Sequence, residues 1–115
     1  MAAMNDDAII AYIRECLENG NYDWDSAHLD QHMIAEGFDE DDIAQAVIEG
    51  KPFEIAADRS RWLFCGTVPF LREYQQFRDR SLHVDVQYEE GARVNLVTAY
   101  RPLVEKWETE TRRRQ

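Results

Sequence analysis

The stretch SLHVDVQYEEGARVNLVTAYRP, Ser81 to Pro102, carries two runs of alternating apolar and polar residues around a break, Glu89, Glu90 and Gly91. A period of two over several residues is the pattern of a strand with one face buried, so the stretch predicts an antiparallel hairpin. With Gly91 in the left-handed position of a three-residue loop and a bulge beside it, Val86 opposes Val94, Val84 opposes Leu96 and Leu82 opposes Thr98. That register gathers the apolar residues on one face. It sends His83, Asp85 and Gln87 to the other, opposite Val97, Asn95 and Arg93, and alternation carries Arg101 to the same polar face. A loop one residue shorter or longer mixes apolar with polar on both faces.

Upstream, two further β-rich runs at about 53–57 and 60–66 follow Gly50 and Pro52, where the period changes from 3.6 to 2. The part before them reads as three helices. Asn5 caps the first, with Ile9, Ile10, Ile13, Cys16 and Leu17 on its apolar stripe up to Gly20; Ser26 caps the second, stopped by Gly37; Asp39 caps the third, stopped by Gly50. Pro69 opens an inserted helix over 69–78 that presents Phe70, Leu71, Tyr74 and Phe77 at helical spacing, and a short helix bearing Leu103, Val104 and Trp107 follows Pro102 before the basic end Arg112, Arg113 and Arg114. The expected architecture is α+β: three N-terminal helices, a mainly antiparallel four-stranded sheet and a C-terminal helix, in a single domain spanning 1–115.

A chain of 115 residues with 44% hydrophobic and 11% aromatic residues has the means for one core and lies outside the disordered class. It lacks a basic N-terminal stretch followed by an apolar run and any apolar stretch of membrane-spanning length, which points to a cytoplasmic protein without membrane contact. Cys16 and Cys65 fall in apolar patterns without CxxC spacing, as reduced core residues do. The net charge of −10 is divided unevenly: residues 1–50 carry thirteen acids against one base, Arg14, and residues 51–115 carry ten acids and twelve bases. Some of the acidity has a local explanation, because Asp6, Asp7 and Glu40 to Asp42 sit in first helical turns, where the dipole favours them.

The order of signals YIRECLENGNYDWDSAHLDQHMIAEGFDEDDIAQAVIEG, RWLFCG, SLHVDVQY and LVTAYRPLVEKWE resembles the prokaryotic domain-of-unknown-function family numbered 4258, over nearly the full chain. That family is similar to the RelE and barnase-like toxin nucleases. The resemblance implies a small metal-independent ribonuclease fold and a paired, antitoxin-like protein partner. His28 matches the family's histidine, and Thr98, Tyr100 and Arg101 fall in its last-strand motif. His32 stands where the family usually has arginine, Glu36 at a second position that is often basic, and the segment TVPFLREYQQFRDR replaces a short glycine-containing turn.

Metal-free RNA cleavage requires a base for the 2′-hydroxyl, an acid for the leaving oxygen and cations around the phosphorane. His28 and His32, one helical turn apart, supply a base and an acid, since imidazole titrates near neutral pH; His83, Arg93 and Arg101 supply charge. The same two histidines could instead flank a buried stripe formed by Leu29 and Met33. No cofactor or metal is expected, because the pair lacks further ligands and an HExxH motif. Against RNA as partner stands a pI near 4.6, since nucleic-acid binding draws on basic surfaces. An acidic body suits a basic protein surface, and the alternative function is a non-catalytic protein-interaction module, an inhibitor or regulator. It would bind a target protein or a second copy of itself through the acidic helices or through Phe70, Tyr74 and Phe77.

Overall fold

A computed structural model describes residues 5–67, 81–89, 93–102, 107–109 and 112–113. Its helices are α1 (Asp6–Glu18), α2 (Ser26–Glu36) and α3 (Glu40–Glu49), and its strands are β1 (Asp23–Trp24), β2 (Lys51–Ile55), β3 (Arg61–Thr67), β4 (Ser81–Tyr88), β5 (Val94–Tyr100), β6 (Trp107–Thr109) and β7 (Arg112–Arg113). The class is α+β. The expected segments 69–78, with Phe70, Tyr74 and Phe77, and 103–106, with Leu103 and Val104, lie outside the described residues.

The hairpin forms in a different register from the expected one. Tyr88 pairs with Val94, Gln87 with Asn95 and Val86 with Leu96, and the Glu89 amide donates to the Arg93 carbonyl at 3.0 Å. This two-residue shift keeps the facing pattern and adds Tyr88 and Val94, 5% and 2% exposed, as a buried cross-strand pair. The Tyr12 ring of α1 closes over Tyr88 edge-on, with centroids 5.9 Å apart. Beyond Leu96 the ladder shifts again: Asp85 pairs with Thr98, Val84 with Ala99 and His83 with Tyr100, leaving Val97 as the extra residue of a bulge. A regular ladder would bury the Thr98 hydroxyl opposite Val84, whereas the bulge substitutes Ala99, which is fully buried.

The sheet has five strands in the order β1-β5-β4-β3-β2, one more than expected, because Asp23 and Trp24 pair parallel with Asn95 and Leu96. Two residues are too few for a detectable alternation. Pro52 and a bulge at Phe53 occupy the edge strand β2, where a missing N–H and an irregularity are tolerated. Where the expected C-terminal helix is described, at 107–109 and 112–113, the chain forms the separate β6–β7 ladder instead, in which Trp107 pairs with Arg113. Trp107 and Thr109, an aromatic and a β-branched residue on either side of Glu108, suit a pleated strand.

Helix starts follow the sequence at α1, where Asn5 accepts from the Ala8 amide, and at α3, where Asp39 and Asp42 form a reciprocal capping box. For α2 the cap is Asp25 instead of Ser26, since the Asp25 amide is tied to the Leu96 carbonyl at 3.1 Å while its own carbonyl takes the first helical bond from Leu29. Gly37 ends α2 in the left-handed conformation at φ 78°. The three helices cover one face of the sheet, around Ile13, Leu29, Ile43, Trp62, Phe64 and Leu96. Cys16 belongs to that core, but Cys65 lies half-buried outside it, on the opposite face. Among the described residues, no helix is long and apolar enough to cross a membrane.

Helix α3 rests directly on β3. A Cβ on Gly66 would stand 2.5 Å from the Ala46 Cα, a backbone atom that cannot swing aside. Gly66→Ala is therefore expected to destabilise the fold by about 1–3 kcal/mol, the usual cost of overpacking. Urea denaturation of the two proteins checks this, and an unchanged midpoint would refute the close packing.

Candidate functional site

The five residues expected to surround a substrate are distributed over helix α2 and different parts of the sheet. His83 extends from β4 on the face away from the helices and is fully buried, with the Phe53 ring centroid 4.6 Å from its own and that of Tyr100 at 5.3 Å. The bulge at Val97 reverses the expected facing of the next residues. Tyr100 turns outward to His83, and Arg101, expected beside His83 on the polar face, follows Ala99 inward and is only 1% exposed. Arg93 lies at the other end of β5, about 26 Å away along an extended strand at roughly 3.3 Å per residue. It is exposed, and its guanidinium faces Asp23 at 3.4 Å.

His28 lies in α2, but its side chain is outside the described residues. One turn later His32 is half-exposed, and its Nδ1 meets Oε2 of Glu36 in an i,i+4 pair. The other carboxylate oxygen of Glu36 accepts the backbone N–H of Arg101 at 2.9 Å. One carboxylate thus joins an imidazole of α2 to the chain end of β5. When Nδ1 donates to that carboxylate, Nε2 is left as the basic nitrogen, an orientation that suits a general base. In the sequence Glu36 stands out as a departure from a basic position and as a carboxylate neighbouring the histidines, without a stated pairing. Its i,i+4 spacing from His32 was the available signal.

Two further features belong to the acidic half. Arg14, its only base, points inward to the end of α3, donating from Nε to the Val47 carbonyl at 3.2 Å and from a terminal nitrogen to the Gly50 carbonyl at 2.5 Å. It serves the exposed carbonyls of a helix C-terminus instead of neutralising surface acids. Tyr22 donates its hydroxyl to Glu40 at 2.5 Å. Burial first, and the neighbouring Glu40 carboxylate second, push the Tyr22 phenol up to about 12. Asp42 is likewise raised, mainly by burial, with the adjacent Asp39 contributing against the backbone bond that lowers it. Among the described residues, no group of three or more His, Cys, Asp and Glu side chains is arranged to hold a metal ion.

Replacing Glu36 by leucine removes both the acceptor for the Arg101 amide and the partner of His32, and is expected to cost about 1–3 kcal/mol of stability. Glu36→Gln, which keeps an acceptor oxygen, should cost clearly less; equal losses in chemical denaturation would contradict the carboxylate's bridging role. Tyr22 gives a pH signature. Its folded-state pKa lies above the unfolded value of about 10, so its contribution to stability is complete below pH 10 and is lost as the pH rises through about 12. The stability gap between the wild type and Tyr22→Phe should therefore be constant below pH 10 and close as the pH rises through about 12, which denaturation of both proteins across alkaline pH checks.

With this geometry in hand, comparison with known proteins adds no relative: no protein-family model matches the chain, and neither a curated protein nor a solved structure matches it.

Proposed function

We propose that this chain is a non-catalytic, acidic protein-interaction module whose helical layer binds a basic protein surface in the cytoplasm. The observation that carries this reading is the exposure of Asp7, Glu15, Glu18, Asp23, Asp30, Asp39, Glu40, Asp41 and Glu49, nine of the thirteen acids of the first half, while Arg14 is turned inward. A surface of one sign steers oppositely charged partners and sets the orientation of docking more than its final affinity. Ile34, 82% exposed on α2, is the single large apolar side chain that stands fully out among the described residues, and supplies an apolar anchor within that surface.

A metal-independent ribonuclease of RelE-like fold is the second reading, favoured by the His32–Glu36 pair, in which a carboxylate orients a half-exposed imidazole. The dispersal of His83, Arg93 and Arg101 weighs against it, since a phosphorane needs its cations around one point.

Two measurements on purified protein separate the readings. Immobilised chain should capture a discrete basic protein at low salt and release it at high salt, and the triple variant Glu15→Gln, Glu18→Gln, Glu49→Gln should weaken that binding about tenfold or more. Capture that ignores both salt and the triple variant would sink the acidic-module reading. RNA cleavage that disappears in His32→Ala would establish the nuclease in its place.

A further inference from the structure

On the sheet face away from the helices, the strand registers assemble a row of side chains with chemistry of its own. Lys51 of β2 lies directly opposite Cys65 of β3, and Cys65 directly opposite His83 of β4. Residues so opposed in antiparallel strands carry their Cβ atoms about 4.5–5.5 Å apart on one face. The thiol therefore has an ammonium group's stem on one side and an imidazole on the other. Phe53 comes from β2, two strand spacings or about 10 Å from β4, yet its ring centroid lies 4.6 Å from that of His83, so it crosses β3 beside Cys65. With Tyr100 on its far side, the imidazole is held in place by two rings and is fully buried.

Cys65 is also reachable. It is half-buried and lines an open groove of about 610 Å³ together with Glu49, Lys51, Pro52, Phe53 and Thr67. Cys16, 4% exposed within the core on the other face, has no comparable access. A thiol next to a lysine and a histidine has its thiolate favoured, and the thiolate is the nucleophile in exchange and alkylation. Glu49, in the same groove, and Glu54, on the same face of β2, oppose that effect from further along the sheet; Lys51 and His83 are its direct cross-strand neighbours.

We propose that Cys65 is a reactive thiol and a modification site for small disulfides, with His83 as the proton acceptor and Lys51 as the cation beside the thiolate. Cys65 passes its proton to the imidazole, and the thiolate attacks one sulfur of a disulfide such as oxidised glutathione. The old S–S bond breaks as the new one to Cys65 forms, and the departing thiolate takes the proton back from the imidazolium. One disulfide is consumed and one is made, so no further oxidant is required.

The test uses Cys16→Ala protein, so that Cys65 is the one thiol read. Its alkylation by iodoacetamide, followed against pH, should rise with a midpoint at least about one unit below the ordinary thiol value of about 8.5. Lys51→Met and His83→Gln should each move that midpoint upward. Lys51 is exposed, so its variant keeps the test alive even if the buried His83 proves necessary for folding. Incubation with oxidised glutathione should give one adduct per chain at Cys65, released by dithiothreitol. A midpoint at or above about 8.5, an unchanged midpoint in Lys51→Met, or absence of the adduct would each overturn the proposal.

Discussion

The bulge at Val97 is the constraint on which the arrangement of the sheet's working end depends. Up to Leu96 the β4–β5 ladder runs regularly, and every second residue of β5 faces the helices. A regular continuation would put the Thr98 hydroxyl under α2 and leave Ala99 outside. One extra residue exchanges their places, and because alternation propagates, it also exchanges Tyr100 with Arg101. Tyr100 then flanks the buried imidazole of His83, and Arg101 turns toward the helix side, where its amide finds Glu36. The burial of one methyl-sized side chain in place of a hydroxyl thus determines which charged and aromatic groups can meet.

The helical layer answers to a second constraint, the close approach of α3 to β3. Gly66 leaves no room between that strand and Ala46, and the Arg14 side chain reaches from α1 to cap the end of α3. The single base of the acidic half is in this way consumed by helix geometry. Its placement satisfies backbone carbonyls, and it leaves the outer surface of the helices without a compensating cation of their own. Arg59, which holds Asp6 at 2.8 Å, and Arg93, near Asp23, reach across from the other half of the chain. Both pairs are exposed, and exposed pairs contribute little.

Periodicity made the three helices and the four longer strands legible, most plainly in α1 and α3, which bury one stripe each, and in β5, whose buried residues alternate up to the bulge. What it could not resolve was pairing. The registers expected and observed for the hairpin share the same parity up to Leu96, but the observed one sets each β4 residue there against a partner two positions further along β5. It gives Tyr88 the partner Val94, with Tyr12 closing over Tyr88 from a helix far away in sequence. The two-residue β1 and the cap at Asp25 depend on the contact between residues 23–25 and 95–96, which no local pattern announces. The candidate site was legible only in parts for the same reason. The i,i+4 relation of His32 and Glu36 is local and could be read, whereas the facing of Arg101 rests on the bulge. The row Lys51, Cys65 and His83 requires two strand registers to be known at once, and Cys65, read as a core residue from its apolar neighbours, faces the other way.

Uncompensated charge on a folded surface has an energetic consequence that bears on function. The first-turn acids of α1 and α3 are favoured by the helix dipoles, but Glu15, Glu18 and Glu49 sit at or toward helix C-terminal ends, where the dipole opposes them. The layer tolerates this because Ile13, Leu17, Ile43 and Val47 bury its inner side, and burial of each such side chain contributes about 1.5–3 kcal/mol. The repulsion among the outer carboxylates persists in the isolated chain. A partner that brings positive charge to these helix ends would relieve it on binding, and by linkage the bound state would be the more stable fold. The same carboxylates that penalise the free helices at their C-terminal ends are therefore the ones from which a basic ligand gains most.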